Sequence, residues 1–365
     1  MLTLQFGAYP IYIGSQLYQS DVVIQLCTAL HKRLVIVTDT NLMDSYGIAL
    51  QQLFQAKGVA VELLVFPAGE MYKTRATKQY LEDAMQRKQC GRDTCLLALG
   101  GGLVTDLVGF LAATYCRGIP VIYLPTTLLA MVDASMGGKT GVNTPLGKNL
   151  IGTFTQPHAV CMDVTTLQTL PEREWRNGLV EMIKHSLIAD AALFTKMQAS
   201  ATLQAFQTRA DLLYLIQRNC EIKKSIVEQD EREQHMRQLL NFGHTIGHAI
   251  ETLEDYQIAH GEAVALGILV ECYLAVQSGH LSETVLDSVH ALLRRYELPL
   301  QTKVFQDKAL FIQTLVLDKK SLQSIPRFVL LKDVGVPHVL EGVYTHQVAP
   351  KHLDQALDWA AERFG

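Results

Sequence analysis

The sequence lacks an excess of positive charge and any paired cysteine motif. Its 365 residues contain 32 Lys and Arg against 36 Asp and Glu, a net charge of −4. There is therefore no overall positive field to hold a nucleic-acid backbone or an anionic membrane surface. The seven cysteines are scattered and include no Cys-x-x-Cys pair, which is typical of a reduced, cytoplasmic protein. We expect a cytoplasmic protein that binds a small molecule and has neither nucleic acid nor membrane as a partner.

Long apolar runs are also missing. The first thirty residues show no basic start leading into an apolar stretch, so the sequence predicts no secretion signal. The most apolar later stretch, Ala263 to Val276, is interrupted by Glu271 and is too short to cross a bilayer of about 30 Å. We interpret this stretch as a buried core helix.

The pattern of apolar residues changes part-way along the chain. Up to about Gln156, short β-branched runs alternate with helix-like segments, which predicts an α/β domain with an open parallel sheet. After Pro157 the periodicity is close to 3.6 residues, which predicts helices. The change falls between residues 158 and 170, and we divide the chain into domains 1–160 and 161–365.

Three glycines follow a predicted buried strand. The strand Leu96 to Gly102 runs into a predicted helix, Val104 to Ala113, so backbone N–H groups can approach a pyrophosphate at the helix N-terminus. The spacing to Asp106 matches neither the dinucleotide fingerprint nor the Walker motif, and a purely structural turn is an equally good interpretation. Asp39, at the end of an earlier strand, can bind a ribose hydroxyl or simply cap a helix.

A second glycine-rich segment runs from Pro125 to Asn149. Glycines and the two lysines Lys139 and Lys148 are typical of an anion-binding loop. A solvated hairpin with surface lysines is the alternative.

The segment Arg237 to Glu251 has a periodicity that predicts one amphipathic helix, with Arg237, Asn241, His244, His248 and Glu251 on one stripe. Two histidines one turn apart suit zinc. The two glycines in this segment indicate that something large approaches it. An ordinary solvated helix face is the alternative.

Further candidate metal ligands lie outside this segment. His260 supplies a third imidazole, and Glu181 is an acid in an apolar stretch with Lys184 three residues later. Glu181 can be a metal ligand or the partner of Lys184 in an ion pair. Spacing alone leaves open which of Glu181, His244, His248 and His260 bind metal.

Seven runs, taken together and in order, resemble the 3-dehydroquinate synthase family of the shikimate pathway from Asp39 to Lys320. They are Pro67 to Glu70, Gly100-Gly101-Gly102 with Asp106, Ala112 to Gly118, Pro125 to Ala130, Gly137 to Gly141, Gly147 to Gly152, and the histidine segment with His260-Gly261-Glu262. The resemblance implies a Rossmann-like N-terminal domain that binds NAD, a mainly helical C-terminal domain that carries zinc or cobalt, and a homodimer.

The resemblance also implies a reaction. The phosphorylated sugar acid 3-deoxy-D-arabino-heptulosonate 7-phosphate would be converted to 3-dehydroquinate and phosphate. The steps would be transient oxidation by NAD, phosphate elimination, re-reduction, ring opening and an intramolecular aldol closure, in which the enzyme mainly holds geometry.

Individual residues receive roles from the same resemblance. The metal ligands would be Glu181, His244 and His260, which leaves His248 to the substrate phosphate. The other phosphate-binding residues would be Lys139, Asn149, Lys184 and, reaching across from the partner subunit, Arg117. The substrate carboxylate would be bound by Lys223, Arg237, Asn241 and either Lys319 or Lys320. The cofactor would be bound by Asp39, Asn41, Glu70, Lys73, Gly101, Gly102, Asp106, Thr126, Thr127, Asp133, Lys139, Lys148, Thr169 and Leu170.

Three other functions compete with this interpretation. A cyclase acting on sedoheptulose 7-phosphate or glucose 6-phosphate would not need the carboxylate-binding residues Lys223, Arg237 and Asn241. A metal-dependent polyol dehydrogenase would not need a phosphate pocket. A non-catalytic metal or nucleotide scaffold would have lost catalytic side chains, and none is missing from this sequence.

Overall fold

The computed structural model describes residues 1–30, 33–317 and 325–365. By their internal contacts these residues form two compact units, Met1–Pro171 and Glu172–Gly365. The domain boundary placed after residue 160 from the sequence falls inside the strand Ala159–Asp163, and the division into two functional domains remains a proposal.

The N-terminal unit is an α/β layer structure. Its strands are β1 (Leu2–Phe6), β2 (Tyr9–Gly14), β3 (Arg33–Asp39), β4 (Ala60–Phe66), β5 (Thr94–Gly100), β6 (Val121–Pro125), β7 (Lys139–Thr144), β8 (Gly147–Phe154) and β9 (Ala159–Asp163). Its helices are α1 (Asp21–Leu30), α2 (Ile48–Ala56), α3 (Arg75–Arg87) and α4 (Gly102–Thr114). The α/β, Rossmann-like fold expected for this part is confirmed.

Seven of these strands form one sheet, in the order β1-β2-β9-β6-β5-β3-β4. All neighbours are parallel except β1 and β2. The apolar runs of β3 and β5 are buried, as expected for strands of a parallel sheet covered on both faces. The strand order reverses between β3 and β5, and ligands of such sheets bind beside the carboxyl ends of the strands at that point.

The glycine-rich segment after β6 forms a separate antiparallel hairpin of β7 and β8. The hairpin alternative for this segment therefore describes its backbone. A hairpin backbone does not exclude ligand binding. Side chains of the hairpin also contact the loop after β4, as described below.

The C-terminal unit is mainly helical, as expected. It contains α5 (Glu172–Ala189), α6 (Ala191–Gln198), α7 (Leu203–Gln207), α8 (Leu212–Gln229), α9 (His244–Leu253), α10 (His260–Gln277), α11 (Glu283–Arg295), α12 (Lys308–Leu317) and α13 (Pro350–Phe364), with two short strands, β10 (Leu331–Asp333) and β11 (Val336–Pro337). Helix α10 contains the apolar stretch 263–276 and packs against α5, α9, α11 and α13. Its interpretation as a buried core helix is confirmed.

The prediction of a single helix from Arg237 to Glu251 is wrong for the first half of the segment. Residues Met236–Asn241 form a 3-10 turn, and α9 begins only at His244. The two segments are separated by Gly243, whose φ of 78° is a left-handed conformation that glycine adopts without strain. Arg237 and Asn241 therefore lie on a turn before the helix that carries the two histidines.

No helix in the part of the chain that the structure describes is long and apolar enough to span a membrane.

Candidate active site

Five predicted cofactor residues of the N-terminal unit lie at the carboxyl ends of strands, at one edge of the sheet. Asp39 ends β3, Gly101 and Gly102 follow β5, and Thr126 and Thr127 follow β6. The first N–H groups of α4 have no partner within the helix and lie at this edge of the sheet. A pyrophosphate can accept hydrogen bonds from them. The strand–glycine–helix arrangement predicted from the sequence is confirmed.

Asp39 lies at this edge with its carboxylate fixed. Its Oδ1 accepts a hydrogen bond of 2.9 Å from the backbone N–H of Asn41. Burial raises the pKa of Asp39 above its ordinary value, although the N–H groups of Asn41 and Leu42 oppose this effect. The carboxylate is thus held beside the sheet edge, where it can accept a hydrogen bond from a ligand hydroxyl.

A buried lysine connects two other predicted site residues. Nζ of Lys73 lies 2.5 Å from Oδ2 of Asp106 and 2.6 Å from Oδ1 of Asn149. Asn143 extends this network, since its Nδ2 donates to Oε1 of Glu70 at 2.7 Å and its Oδ1 accepts from the N–H of Asn149 at 3.0 Å. These contacts tie the β7–β8 hairpin to the loop after β4. The sequence placed Asn143 in the glycine-rich segment but did not indicate its contacts with Glu70 and Asn149.

The remaining predicted residues of this unit lie on loops and turns. Asp133 belongs to a π-helical turn, Ala130–Ala134, and Lys139 and Lys148 lie on the hairpin. The hydroxyl of Thr169 lies 2.7 Å from that of Tyr46, and Leu170 ends the 3-10 segment Val164–Thr169.

Arg117 is exposed and has an unusual backbone. It has a φ of 67° and follows Cys116 at φ 51°, two consecutive left-handed residues that are not glycine. Such conformations cost free energy and concentrate at functional sites.

The C-terminal unit brings one carboxylate and two imidazoles together. One ligand atom from each of Glu181, His244 and His260 lies within 4.8 Å of the other two. Nε2 of His244 and Nε2 of His260 are each 3.6 Å from Oε1 of Glu181. Two nitrogens and one oxygen at these distances match the donor set of a zinc site with room for a substrate ligand. The residues present therefore fit a divalent metal.

Helix packing positions this cluster. Glu181 lies on α5, His244 on α9 and His260 at the start of α10. Oδ1 of Asn177, one turn before Glu181, accepts a 2.6 Å hydrogen bond from the N–H of Gly261. A Cβ on Gly261 would lie 2.7 Å from Cα of Asn177, so only glycine allows α5 and α10 to approach this closely.

The electrostatic environment of the cluster is negative. Burial alone lowers the pKa of His260, but the carboxylates of Glu251 and Glu181 raise it by more, to about 10. The side chain of Lys184 contacts Oε2 of Glu181, so the intrahelical ion pair offered by the sequence as one alternative is present. Oε1 of the same carboxylate faces the histidines, and the two interpretations of Glu181 are compatible.

His248 lies beside this cluster but outside the ligand group. Its ring centroid is 5.5 Å from that of His244 and 6.5 Å from that of His260. The phosphate-binding role that the resemblance gives His248 stays a prediction.

The predicted carboxylate-binding residues follow one another along the chain. Lys223 is buried on α8, and Arg237 and Asn241 lie on the 3-10 turn after it. Nδ2 of Asn241 donates to Oε1 of Glu233 at 2.6 Å. Lys319 and Lys320, one of which was expected at this site, lie outside the described residues.

Two comparisons decide the family. A profile described as 3-dehydroquinate synthase N-terminal matches residues 63–177, and one described as 3-dehydroquinate synthase C-terminal matches residues 178–321. A 3-dehydroquinate synthase from a Synechococcus species is 44% identical over 328 residues, which is 89% of this chain and 88% of the relative.

The chain belongs to the 3-dehydroquinate synthase family.

Solved structures of other cyclases are similar to this 3-dehydroquinate synthase family member. A 2-deoxy-scyllo-inosose synthase complexed with carbaglucose-6-phosphate, NAD+ and Co2+ has a TM-score of 0.88 at 26% identity, covering 98% of this chain and 99% of that chain. ValA, a 2-epi-5-epi-valiolone synthase from Streptomyces hygroscopicus with NAD+ and Zn2+ bound, has a TM-score of 0.88 at 29% identity, covering 100% of this chain and 99% of that chain. Synthases named for different products therefore share this fold.

Sequence reasoning missed Glu233 and gave no role to Glu251. Glu233 belongs to the charged run Asp230 to Glu233, which is typical of a solvated surface, and only the fold shows its contact with Asn241. Glu251 was placed on the histidine stripe, but its contact with His260 joins two different helices.

Proposed function

We propose that this chain acts as a 3-dehydroquinate synthase through two groups of residues, one in each unit. It converts 3-deoxy-D-arabino-heptulosonate 7-phosphate to 3-dehydroquinate and phosphate, as the family implies. The observation that carries the proposal is the convergence of Glu181, His244 and His260, in a chain that also buries Lys223 and Arg237. A substrate with a carboxylate requires such cations, whereas sedoheptulose 7-phosphate and glucose 6-phosphate carry no carboxylate.

NAD binding is assigned to the N-terminal unit. NAD, when bound, accepts a hydride from a substrate alcohol and later returns it. The chain contributes the N–H groups at Gly101 and Gly102 for the pyrophosphate and the carboxylate of Asp39 for a ribose. The Lys73–Asp106 pair holds the loop after β4 against α4.

The remaining cofactor residues are assigned to the same ligand. They are Asn41, Glu70, Thr126, Thr127, Asp133, Lys139, Lys148, Thr169 and Leu170.

Metal binding is assigned to Glu181, His244 and His260. A divalent metal, zinc or cobalt, would lower the pKa of substrate hydroxyls and polarise a carbonyl. The chain contributes the geometry: Asn177 fixes the start of α10, and Lys184 orients the Glu181 carboxylate.

Recognition of the two substrate anions is assigned to separate residues. The carboxylate would be bound by Lys223, Arg237 and Asn241, the phosphate by Lys139, Asn149, Lys184, His248 and Arg117. Arginine binds a carboxylate through two parallel N–H groups, so Arg237 is expected to fix the orientation of the substrate as well as its charge. We also propose a homodimer in the cytoplasm, in which Arg117 serves the partner subunit.

The test follows the substrate through the reaction. Purified protein with NAD and zinc is incubated with 3-deoxy-D-arabino-heptulosonate 7-phosphate or with sedoheptulose 7-phosphate, and phosphate, NADH absorbance and the organic product are measured. We expect phosphate release and dehydroquinate from the first substrate only, without net NADH. In a parallel incubation with a polyol as substrate, net formation of NADH would indicate a dehydrogenase instead.

Two variants test the carboxylate assignment. Arg237→Ala should raise the KM for the sugar acid at least tenfold. Arg232→Ala removes an exposed arginine of the same loop and should leave KM unchanged. Release of phosphate from sedoheptulose 7-phosphate alone would remove the roles of Lys223, Arg237 and Asn241.

A further inference from the structure

The imidazole ring of His260 lies between two buried carboxylates. Its Nε2 is 3.6 Å from Oε1 of Glu181, and its Nδ1 is 3.5 Å from Oε1 of Glu251. Both acids are buried, with 0% and 3% of Glu181 and Glu251 exposed. The two nitrogens of one ring therefore face two different carboxylates, one on α5 and one on α9.

His244 shows the same arrangement with a different partner. Its Nδ1 lies 3.1 Å from the carbonyl oxygen of Phe242, and its Nε2 is 3.6 Å from Oε1 of Glu181. A carbonyl oxygen only accepts, so Nδ1 of His244 carries the hydrogen and Nε2 carries the lone pair. Nε2 is therefore the ligand atom of this ring.

Both nitrogens of His260 face a carboxylate, and an ionised carboxylate only accepts hydrogen bonds. When Glu181 and Nε2 of His260 hold a divalent metal, Nε2 must present its lone pair, and Glu251 accepts the hydrogen that stays on Nδ1. Both histidines then present Nε2 to the same oxygen of Glu181. Outer partners of this kind fix the tautomer and the orientation of a metal-binding histidine and increase its basicity.

We propose that Glu251 is a positioning residue of the metal site, which holds His260 in the orientation and tautomer that bind the metal. This inference rests on the proposed function, because it requires that Glu181, His244 and His260 bind a divalent metal. Glu251 is not itself a ligand in this arrangement, since the candidate metal-binding groups among the described residues do not include it.

The position of Glu251 on α9 supports this role. Glu251 follows His244 by seven residues, two turns of the helix, so both side chains lie on the face that carries the ligands. One face of α9 therefore supplies a ligand to the metal and a hydrogen-bond acceptor to the ligand on α10.

The test measures metal affinity rather than turnover. Zinc-free Glu251→Gln and Glu251→Ala proteins are titrated with zinc in competition with a chromophoric chelator, and with cobalt while its absorption spectrum is recorded. We expect both variants to bind zinc about 10- to 100-fold more weakly than the unmodified protein. The cobalt spectrum should change in both, because the His260 ring is no longer fixed.

The matched control is Glu254→Gln. Glu254 lies three residues further along the chain and contacts the hydroxyl of Thr302 instead of a histidine. This variant removes the same charge and should bind zinc with unchanged affinity. Glu251→Asp keeps the charge on a shorter side chain and should recover part of the affinity that Glu251→Ala loses.

Thermal unfolding of the zinc-free proteins separates positioning from folding. Glu251→Gln nearly preserves the size of the side chain and should unfold close to the unmodified protein. Zinc affinity equal to that of the unmodified protein in both Glu251→Gln and Glu251→Ala would overturn the inference while leaving the metal site intact. Failure of the unmodified protein to bind zinc or cobalt would overturn both the metal assignment and this inference.

Discussion

Nζ of Lys73 lies 2.5 Å from Oδ2 of Asp106, and the lysine side chain is almost completely buried. The pair joins the loop after β4 to the first turns of α4, at the edge of the sheet where the strand order reverses. A buried ammonium group without its carboxylate is costly, so each partner requires the other.

Replacing Lys73 by Met should weaken both folding and NAD binding. We expect a loss of about 2 kcal/mol in the free energy of unfolding, below the range for fully buried pairs because Asp106 keeps some solvent contact. The dissociation constant for NAD should rise at least tenfold. Urea unfolding and calorimetric titration with NAD measure the two effects.

Lys88→Met is the matched control for Lys73→Met. Lys88 and Glu62 form an ion pair of 2.7 Å whose side chains are 40% and 36% exposed. Surface pairs contribute at most about 1 kcal/mol, and this variant should bind NAD normally. Equal losses in the two variants would contradict the role assigned to Lys73.

Zinc should stabilise the protein only while its three ligands are present. Ligand binding to the folded state alone adds about 2.7 kcal/mol at a hundredfold excess over the dissociation constant. His244→Ala and His260→Ala should lose this zinc-dependent rise in Tm. Thermal unfolding with and without chelator measures it.

His248→Ala separates the metal ligands from the neighbouring histidine. This variant should keep the zinc-dependent rise in Tm, because the His248 ring lies outside the ligand group. It should lose activity, because His248 is proposed to bind the substrate phosphate. Loss of zinc stabilisation in His248→Ala, with retention in His260→Ala, would reverse the assignment.

Much of the N-terminal fold was predictable because its signals are local. The apolar runs of β3 and β5 indicated the parallel strands, and Gly100-Gly101-Gly102 indicated the turn into α4. Hydrophobic periodicity is a property of neighbouring residues, so it identifies elements without knowledge of what they pack against.

The site was less predictable because its contacts join different elements. The 3-10 turn at Met236–Asn241 keeps a spacing close to that of an α-helix, and the periodicity therefore concealed the break at Gly243. The contact of Glu251 with His260 depends on the packing of α9 against α10, which no local pattern contains.

The carboxylate of Asp230 should make stability depend on pH. It accepts hydrogen bonds from the backbone N–H groups of Gln234, His235 and Arg237 at 2.9, 2.7 and 3.0 Å. Burial alone raises the pKa of Asp230, but these N–H groups lower it by more, so its pKa lies below the ordinary value. The stabilisation is present above the unfolded pKa of about 3.9 and is lost as the pH falls through the folded pKa.

Asp230→Asn removes this charge from the loop that carries Arg237. We expect a loss of about 1 kcal/mol at pH 7 that shrinks as the pH falls below the unfolded pKa of about 3.9, together with a higher KM for the sugar acid. Urea unfolding between pH 3 and pH 7 measures the first effect. The control is Asp83→Asn, at an exposed position on α3, which should change neither the stability nor the KM. A loss of stability in Asp230→Asn that stays constant across the pH range would contradict the mechanism.

The glycines of α9 and α10 allow these two helices to pack closely, and the sequence had indicated only that something large approaches the segment that contains Gly247. The large group that approaches Gly247 is α10 itself: a Cβ there would lie 3.2 Å from Cα of Val264. A Cβ on Gly267 would lie 1.9 Å from the carbonyl oxygen of Gly243, a distance that requires the backbone to move. The two glycines thus set how closely α9 and α10 approach.

The two distances predict a ranking of alanine variants. Gly247→Ala should cost about 1–2 kcal/mol, because overpacking exceeds the roughly 1 kcal/mol that alanine gains over glycine in a helix. Gly267→Ala should cost more than about 3 kcal/mol, on the order of the largest single-residue effects, and should also weaken zinc binding, since α9 and α10 carry His244 and His260. Urea unfolding of the zinc-free variants gives the ranking. A Gly267→Ala protein as stable as Gly247→Ala would show that the helices can separate without cost, and the close packing would then not be what holds the two histidines together.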